Sequence, residues 1–391
     1  MKSLRKKRIL ILGAGFGGLT SANILQKNLS QTCEIVIIDK KDYFLMGFVN
    51  LWILNGDRTL KDAKISLYDL QNKGITFICS DITTINLKEK NVSINHNNLL
   101  DYDFLIISLG AEYALEEIDG FIKNNGYNLY DAENIPNLRT KLLGFDRGEI
   151  AICITRFPYK CPPAPFEASF LINDILIKNG TRHNISIGVY TPAEIPLPVA
   201  GKKVNSDLCD LLKTHHINFH PLHKLNKVSE KTIEFNNGSE NKIIACELII
   251  AVPPHKVPSI VKRSDLVNND HEWINVNKYT LQTKYENVYA IGDVTDIKIN
   301  NKVSIPKAGI FAENQAKVVC EQIINSMTNN SSNSKFEGKG FCFMEIGDRK
   351  AGYIDTDFYS PDGPITVLES PSNENYIKKI EFEKIRINDW I

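Results

Sequence analysis

A strand, a glycine-rich turn and a helix within residues 8–25 constrain the fold more than any other feature. Gly13, Gly15 and Gly18 form a GxGxxG pattern between a mostly apolar segment and a predicted helix. Gly13 allows a tight turn, Gly15 lets a pyrophosphate approach the backbone, and Gly18 lets the helix pack closely on the strand. The next apolar segment ends in Asp39, whose carboxylate can accept hydrogen bonds from ribose hydroxyls. The pattern predicts a dinucleotide-binding βαβ unit.

Composition limits the remaining function classes. The chain has 391 residues, and its 46 basic and 46 acidic residues give a formal net charge of zero. This length suits two or three domains. The balanced charge argues against a nucleic-acid partner, because such affinity depends on neutralising phosphates. No apolar run approaches the ~20 residues of a membrane helix, and the apolar run after the basic residues 2–8 is too short for an export signal. We therefore expect a cytoplasmic protein.

Two later segments point to the identity of the dinucleotide. Residues 103–110 predict a strand that ends in Gly110, and residues 287–293 predict another that ends in Gly292 and Asp293. These segments resemble the strand-plus-glycine and Gly-Asp motifs of flavoproteins with two dinucleotide-binding domains. The resemblance implies that FAD is the cofactor and that the Asp293 carboxylate binds its ribityl chain.

The same resemblance implies the architecture. We expect an α/β protein with two Rossmann-like domains of the glutathione-reductase type, the second inserted in the first, and a C-terminal segment. Residues 1–112 and 252–330 would form the FAD-binding domain, and residues 113–251 the second domain. Residues 331–391 would close over the flavin or form an interface.

The inserted domain lacks the second glycine fingerprint that NAD(P)H-dependent relatives carry. Its expected first strand, residues 149–154, is followed by residues 155–167, which contain four prolines and no glycine. Proline has no backbone N–H, so this segment is short of the donors that bind a pyrophosphate. We therefore expect no ordinary NAD(P)H site in this domain.

The segment that replaces the fingerprint contains Cys161 in the pattern Cys-Pro-Pro-x-Pro-Phe-Glu, and Cys342 lies in a second motif near the C-terminus. Both motifs, with residues 305–313 around Lys307, resemble sulfide:quinone oxidoreductases and the flavoprotein subunit of flavocytochrome c sulfide dehydrogenase. The resemblance implies FAD-dependent sulfide oxidation through a Cys161–Cys342 redox pair, with Lys307 under the flavin and a quinone as electron acceptor. No cysteine occupies the segments where some relatives attach FAD, so we expect non-covalent FAD.

Thiol–disulfide exchange explains why such a pair would suit sulfide. Hydrosulfide would open a disulfide, leaving a persulfide on one cysteine and a thiolate, by family analogy on Cys342, on the other. Lys160 or Lys307 could supply the positive charge that a thiolate needs. Glu167 is the candidate proton acceptor, although a carboxylate there could instead interact with a helix dipole. The plainer interpretation of both cysteines is two unrelated buried thiols, which we expect for the other six.

The assembly and further ligands are less constrained by the sequence. The C-terminal helix, residues 374–391, carries isoleucines among lysines and could lie on a membrane surface. Packing on its own protein or on a second copy is slightly favoured, so we expect a homo-oligomer with possible peripheral contact with the inner face of the membrane. Four histidines within residues 214–223 span a helix–strand junction and would fan apart, so no metal site is expected. His255 is a candidate for the mouth of the active site.

Two alternatives remain open beside a sulfide or small-persulfide substrate. A type II NADH:quinone dehydrogenase shares the FAD motifs and the region of residues 42–44. A flavin-bearing redox sensor without fast turnover would share them as well.

Overall fold

The computed structural model describes residues 5–95, 98–238, 240–267, 272–299, 303–331 and 333–391. Up to residue 113, strands alternate with short helices in the order β1 (Lys7–Leu12), α1 (Phe16–Leu29), β2 (Cys33–Asp39), β3 (Tyr43–Phe44), α2 (Val49–Asn55), α3 (Leu60–Ala63), β4 (Ile65–Ser66), β5 (Thr76–Cys79), β6 (Ile82–Asn86), β7 (Asn91–Ile94), β8 (Asn98–Asp101), β9 (Phe104–Ile107) and β10 (Glu112–Tyr113).

The middle of the chain alternates strands and helices again before it ends in a run of short strands. The order is β11 (Tyr127–Asn128), α4 (Ile135–Leu143), β12 (Gly148–Ile154), α5 (Ala164–Lys178), β13 (Ile185–Tyr190), α6 (Gly201–Thr214), β14 (Asn218–His220), β15 (Lys224–Val228), β16 (Thr232–Asn236), β17 (Asn241–Ala245), β18 (Leu248–Val252) and β19 (His255–Lys256).

The last part of the chain adds one strand to the first sheet and then forms a separate antiparallel sheet. Its elements are α7 (Ser259–Lys262), β20 (Val288–Ala290), α8 (Gly309–Thr328), β21 (Lys339–Gly347), β22 (Lys350–Asp357), β23 (Ile365–Ser372) and α9 (Asn373–Trp390). None of the helices in the described part of the chain is long and apolar enough to cross a membrane.

Five parallel strands form the first sheet, in the order β20-β9-β1-β2-β5. The central strands are almost wholly isoleucine, leucine and valine, and the side chains from Ile9 to Leu12 are fully buried. Such continuous apolar runs suit a parallel sheet that is covered on both faces. The chain leaves this sheet after β9 and returns to it with β20.

A second parallel sheet, ordered β11-β18-β12-β13-β14, is built between those two passages. The antiparallel pair β10–β19 joins the two segments that cross between the sheets. Two Rossmann-like sheets with the second inserted confirm the predicted fold class, whereas the predicted domain boundaries stay a prediction.

The C-terminal segment is an antiparallel sheet, β21-β22-β23, followed by α9. Strand β21 packs against α5, and α9 packs against β22 and α1. The segment therefore meets both parallel sheets on the side where their first helices begin.

Candidate functional site

The turn between β1 and α1 has the geometry that a pyrophosphate requires. Gly13 has φ +97°, and a Cβ on it would lie 2.5 Å from the carbonyl oxygen of Ser108. A Cβ on Gly18 would lie 1.9 Å from the carbonyl oxygen of Gly13, so only glycine lets α1 begin this close to β1. Nothing lies within 4 Å of a Cβ position on Gly15. That position faces open space at the start of the helix.

Asp39 ends β2 beside this turn. Its Oδ2 accepts a hydrogen bond from the Ala14 N–H at 2.8 Å, and its Oδ1 accepts one from the Lys41 N–H at 2.9 Å. These bonds fix the carboxylate and leave acceptor lone pairs for ribose hydroxyls. Gly110, just after β9, has φ +69° and a Cβ position with nothing within 4 Å.

Gly292 and Asp293 follow β20 at the start of a short 3₁₀ helix (Gly292–Val294). The Gly292 N–H donates to Oε1 of Gln315 at 2.7 Å. Burial raises the pKa of Asp293, while the charges of Lys307 and Lys160 lower it. Among the described residues, no hydrogen bond is made by this carboxylate. It is therefore a half-buried acceptor suited to hydroxyl donors.

These residues fit FAD. The 14-residue helix α1 has no side-chain cap at its described N-terminus, so its first N–H groups are available to an anion. Gly15 and those N–H groups would hold the pyrophosphate, Asp39 the adenosine ribose and Asp293 the ribityl chain. The individual roles stay predictions.

Cys161 lies in the loop between β12 and α5, three residues before the helix begins. Its φ is +52°, in the left-handed region that a non-glycine residue adopts only when its surroundings hold it. The Cys161 N–H donates to the carbonyl oxygen of Lys307 at 2.7 Å, and its own carbonyl accepts from the Ala164 N–H at 2.8 Å. The thiol is thus placed at the N-terminus of α5.

Cys342 lies on β21, and the packing of β21 on α5 brings this thiol toward Cys161. Burial, followed by the charges of Cys342 and Glu167, raises the pKa of Cys161 well above its ordinary value. Burial also raises the pKa of Cys342 to about 12. A cavity of about 40 Å³ beside Cys342 has mostly apolar walls, including Pro162 and Phe341, and could receive a small ligand.

Three buried charged side chains join α5, β21 and α9 next to the thiols. Lys379 forms ion pairs with Glu167 and, at 2.8 Å, with Glu345, and each of the three side chains is at most 3% exposed. Glu167 also accepts the Glu345 backbone N–H at 3.1 Å, and Trp52 Nε1 donates to Glu345 at 2.6 Å. The cluster is hydrogen-bonded throughout, as buried charges require.

The cluster sets the charge around both cysteines. Burial raises the pKa of Glu167 to about 7, with Lys379 lowering it and Glu345 raising it. Burial lowers the pKa of Lys379, but the two carboxylates outweigh burial and the net direction is upward. Lys379 therefore stays positively charged, and its charge lowers the pKa of both thiols against the effect of burial.

Lys307 was expected to supply positive charge to a thiolate, but its ammonium group contacts other partners. Its amine donates to the carbonyl oxygens of Asp293 at 2.6 Å and Thr295 at 2.9 Å, and lies 3.5 Å from the ring centroid of Trp273. Burial lowers its pKa to about 8. Its catalytic role stays a prediction, whereas Lys379 is a residue that the sequence analysis missed. Nothing in the sequence separates Lys379 from its exposed neighbour Lys378.

The other cysteines mostly match the expectation of buried thiols. Four of the six are buried, namely Cys33, Cys153, Cys246 and Cys320, and Cys209 is half-buried. The expectation is wrong for Cys79, which is exposed. Cys79 ends β5, and β5 is an edge strand with a neighbour on one side alone.

The histidines lie against aromatic rings or backbone. His215 contacts Phe170, and His220 and His223 contact Tyr190. Within the described ranges, no group of three His, Cys, Asp or Glu side chains is arranged to hold a metal ion. His255 is 2% exposed and lies behind the Cys161 loop, so it does not line a mouth.

The comparisons with known proteins agree with the motifs. A sulfide:quinone oxidoreductase of Dictyostelium discoideum is 27% identical over 347 residues, which cover 86% of this chain and 74% of that protein. The crystal structure of the Aquifex aeolicus sulfide:quinone oxidoreductase superposes with a TM-score of 0.88 at 21% identity, covering 97% of this chain and 90% of that one. A type II NADH:quinone oxidoreductase of Staphylococcus haemolyticus is 30% identical, but over 34% of this chain and 33% of its own.

The sequence profile of a broader family spans most of the chain. The pyridine nucleotide-disulphide oxidoreductase profile matches residues 7–153 and 184–326. The resemblance to sulfide:quinone oxidoreductases and the FAD cofactor expected from the sequence are both confirmed. The chain belongs to the pyridine nucleotide-disulphide oxidoreductase family.

Proposed function

We propose that this protein is an FAD-dependent enzyme that oxidises sulfide through Cys161 and Cys342 and passes the electrons to a quinone. The observation that carries the proposal is that the packing of β21 on α5 brings Cys342 to the same small cavity as Pro162, the residue that follows Cys161, although the two cysteines are 181 residues apart in the sequence. Both thiols interact with the same two charges. The relatives named sulfide:quinone oxidoreductase or sulfide-quinone reductase, which match over most of the chain, support the substrate and the acceptor.

The cysteine chemistry is a thiol–disulfide exchange. Hydrosulfide attacks the Cys161 sulfur of a Cys161–Cys342 disulfide, the S–S bond breaks, and Cys342 leaves as a thiolate while Cys161 becomes a persulfide. No electron leaves the protein in this step, because the electron pair of the broken bond stays on Cys342. When bound, FAD supplies the capacity to accept two electrons and to pass them to a quinone.

Glu167 and Lys379 have complementary roles, since Glu167 accepts a proton and Lys379 stabilises the negative charge of a thiolate. Glu167, with a pKa of about 7 set by burial, can accept the proton of the incoming sulfide at neutral pH. Once Glu167 is neutral, it no longer opposes a negative charge on Cys342. The ammonium of Lys379 then stabilises the new thiolate, so proton uptake and thiolate formation favour each other.

A membrane surface is the proposed location of the quinone. The outer face of α9 exposes three isoleucines, Ile377 at 47%, Ile380 at 38% and Ile385 at 54%. Apolar side chains among charges are typical of helices that lie on a bilayer. We propose that this face contacts the inner, cytoplasmic surface of the membrane.

The homo-oligomer stays a prediction, and we assign Ile365 and Val367 on the edge strand β23 to its interface.

The second sheet argues against the NADH-dependent alternative. The loop after β12 is closed by an ion pair of Arg156 with Glu117 at 2.7 Å and by a hydrogen bond from Arg156 to the His255 carbonyl at 3.1 Å. The turn after β12 also lacks the glycines that let a pyrophosphate approach the backbone.

Anaerobic titrations followed at the flavin absorbance band test the proposal. We expect one equivalent of sulfide to bleach the flavin of the wild-type protein and NADH to leave it oxidised. Cys161→Ser and Cys342→Ser should each abolish bleaching by sulfide, and exposed Cys79→Ser is the matched control that should bleach normally. Added quinone should restore the absorbance over repeated cycles, which distinguishes an enzyme from a redox sensor. Bleaching by NADH and not by sulfide would reverse the assignment.

A further inference from the structure

The two segments that cross between the parallel sheets carry residues that touch the Cys161 loop. Strands β10 and β19 pair in an antiparallel register that places Tyr113 opposite His255. His255 is buried, and its ring lies edge-on to the rings of Tyr113 and Tyr130, with centroids 5.1 and 5.4 Å away. The crossing segments therefore form the wall behind Cys161.

The hydrogen bonds of His255 define which ring nitrogen carries the proton. Nδ1 lies 2.9 Å from the carbonyl oxygen of Pro253, and a carbonyl can only accept, so Nδ1 must be the donor. In the neutral ring Nε2 is then an acceptor, and it receives the backbone N–H of Lys160 at 3.3 Å. Burial, assisted by Lys160, Lys307 and Arg156, lowers the pKa of His255 to about 3. The ring stays neutral and keeps this acceptor at any working pH.

A second hydrogen bond holds the backbone carbonyl group of Lys160. The Tyr130 hydroxyl donates to the Lys160 carbonyl oxygen at 2.6 Å. The Lys160 ammonium lies over the rings of Tyr113 and Tyr130, 4.9 and 5.1 Å from their centroids. The N–H of the residue before Cys161 is therefore bound by His255 on a crossing segment, and its carbonyl group by Tyr130, two residues after β11.

These contacts explain how Cys161 keeps an unfavourable backbone conformation. A non-glycine residue with φ near +52° is strained, and such strain persists where the surroundings over-determine it. The N–H of Cys161 is bound to the Lys307 carbonyl at 2.7 Å. With the Lys160 N–H and carbonyl also bound, the peptide groups on the N-terminal side of Cys161 have little freedom to rotate.

We propose that His255 and Tyr130 are positioning residues that fix the Cys161 thiol through the Lys160 backbone. His255 acts as a hydrogen-bond acceptor of fixed tautomer and moves no proton. The consequence for turnover rests on the proposed sulfide oxidation, whereas the effect on the loop itself does not.

Two substitutions of His255 test the proposal, because they distinguish loss of the hydrogen-bond acceptor from loss of the imidazole ring. His255→Leu removes the acceptor, and His255→Gln places an amide oxygen near the position of Nε2. Hydrogen–deuterium exchange of the Lys160 and Cys161 amides in the FAD-loaded protein should speed up about tenfold in the leucine variant, since one buried hydrogen bond is lost. The limiting rate of flavin bleaching by sulfide should fall about tenfold with unchanged FAD content. The glutamine variant should stay within about threefold of wild type in both measurements.

Tyr130→Phe keeps the ring under Lys160 and removes the hydroxyl alone. It should speed up amide exchange and slow flavin bleaching, as His255→Leu does. This variant keeps the proposal testable where a His255 variant fails to fold. Unchanged exchange in His255→Leu, or a glutamine variant as impaired as leucine, would overturn the proposal. An acidic limb of the pH–rate profile that disappears in His255→Gln would also overturn it, because it would mean proton transfer by His255. A wild-type protein that sulfide does not bleach would refute the proposed function, and the exchange measurement would still decide the positioning role.

Discussion

Glu167 is a carboxylate that burial brings into the titration range of a neutral solution. An exposed glutamate is ionised throughout that range, but burial raises the pKa of Glu167 to about 7. The nearby Lys379 keeps the shift from going further. A group that is partly ionised at neutral pH can both accept and release a proton.

The pH dependence of sulfide oxidation should therefore contain the titration of Glu167. Below pH 7 Glu167 is protonated and cannot accept a proton, so the rate of flavin bleaching at saturating sulfide should fall as the pH is lowered through 7. Glu167→Gln should lower this rate about 100-fold and remove the acidic limb. Stopped-flow measurements between pH 5.5 and 8.5 check this.

The matched control for that experiment is Glu149→Gln. Glu149 is also a carboxylate whose pKa burial raises, but it lies at the start of β12, away from the Cys161 loop. Its variant should keep the wild-type rate and profile. A Glu167→Gln profile that still shows the wild-type acidic limb would assign that limb to another group, such as sulfide itself.

Gly15 and Gly18 allow a separate test of the FAD site. Gly15→Ala meets no atom within 4 Å, so the apoprotein should unfold at the wild-type temperature while its affinity for FAD falls at least about tenfold, since the methyl group occupies the pyrophosphate space. Gly18→Ala would place Cβ 1.9 Å from the Gly13 carbonyl oxygen and should lower the unfolding temperature of the apoprotein itself. Calorimetry and FAD titration separate the two effects, and equal unfolding temperatures would contradict the argument.

At the scale of elements, helix α9 buries several polar side chains and exposes several apolar ones. Its buried face includes Asn375, Lys379 and Glu383, whereas Ile377, Ile380 and Ile385 point outward. The polar face is buried because its partners are charged, as in the pair of Glu383 with Arg58 at 2.9 Å. Trp390 anchors the end of the helix against Phe16, with ring centroids 5.1 Å apart.

The outward isoleucines should decide membrane association. The triple variant Ile377→Ser, Ile380→Ser and Ile385→Ser should lose sedimentation with anionic phospholipid vesicles, because it removes the apolar surface that a bilayer would bury. Bleaching by sulfide should not change. Ile243→Ser is the matched control, since Ile243 is 66% exposed on β17, away from α9. Retained sedimentation of the triple variant would exclude this face as the membrane contact.

At the scale of the whole molecule, the candidate site depends on three parts of the chain that come together after folding. The loop before α5 supplies Cys161, β21 supplies Cys342, and α9 supplies Lys379. The sequence predicted the first two because each lies in a motif with recognisable neighbours. It could not predict Lys379, because a lysine in a polar helix is ordinarily exposed and its burial depends on carboxylates from two other elements.

Local patterns were sufficient for part of this protein. The glycine turn, Asp39 and the apolar strands are determined over short stretches of chain, since steric limits and hydrophobic burial act there directly. The tertiary structure alone decided the charge of Glu167, the burial of Lys379 and Glu383 on α9 and the contact of His255 with the Cys161 loop. Those properties depend on desolvation and on partners distant in the chain, and neither quantity exists until the elements have packed together.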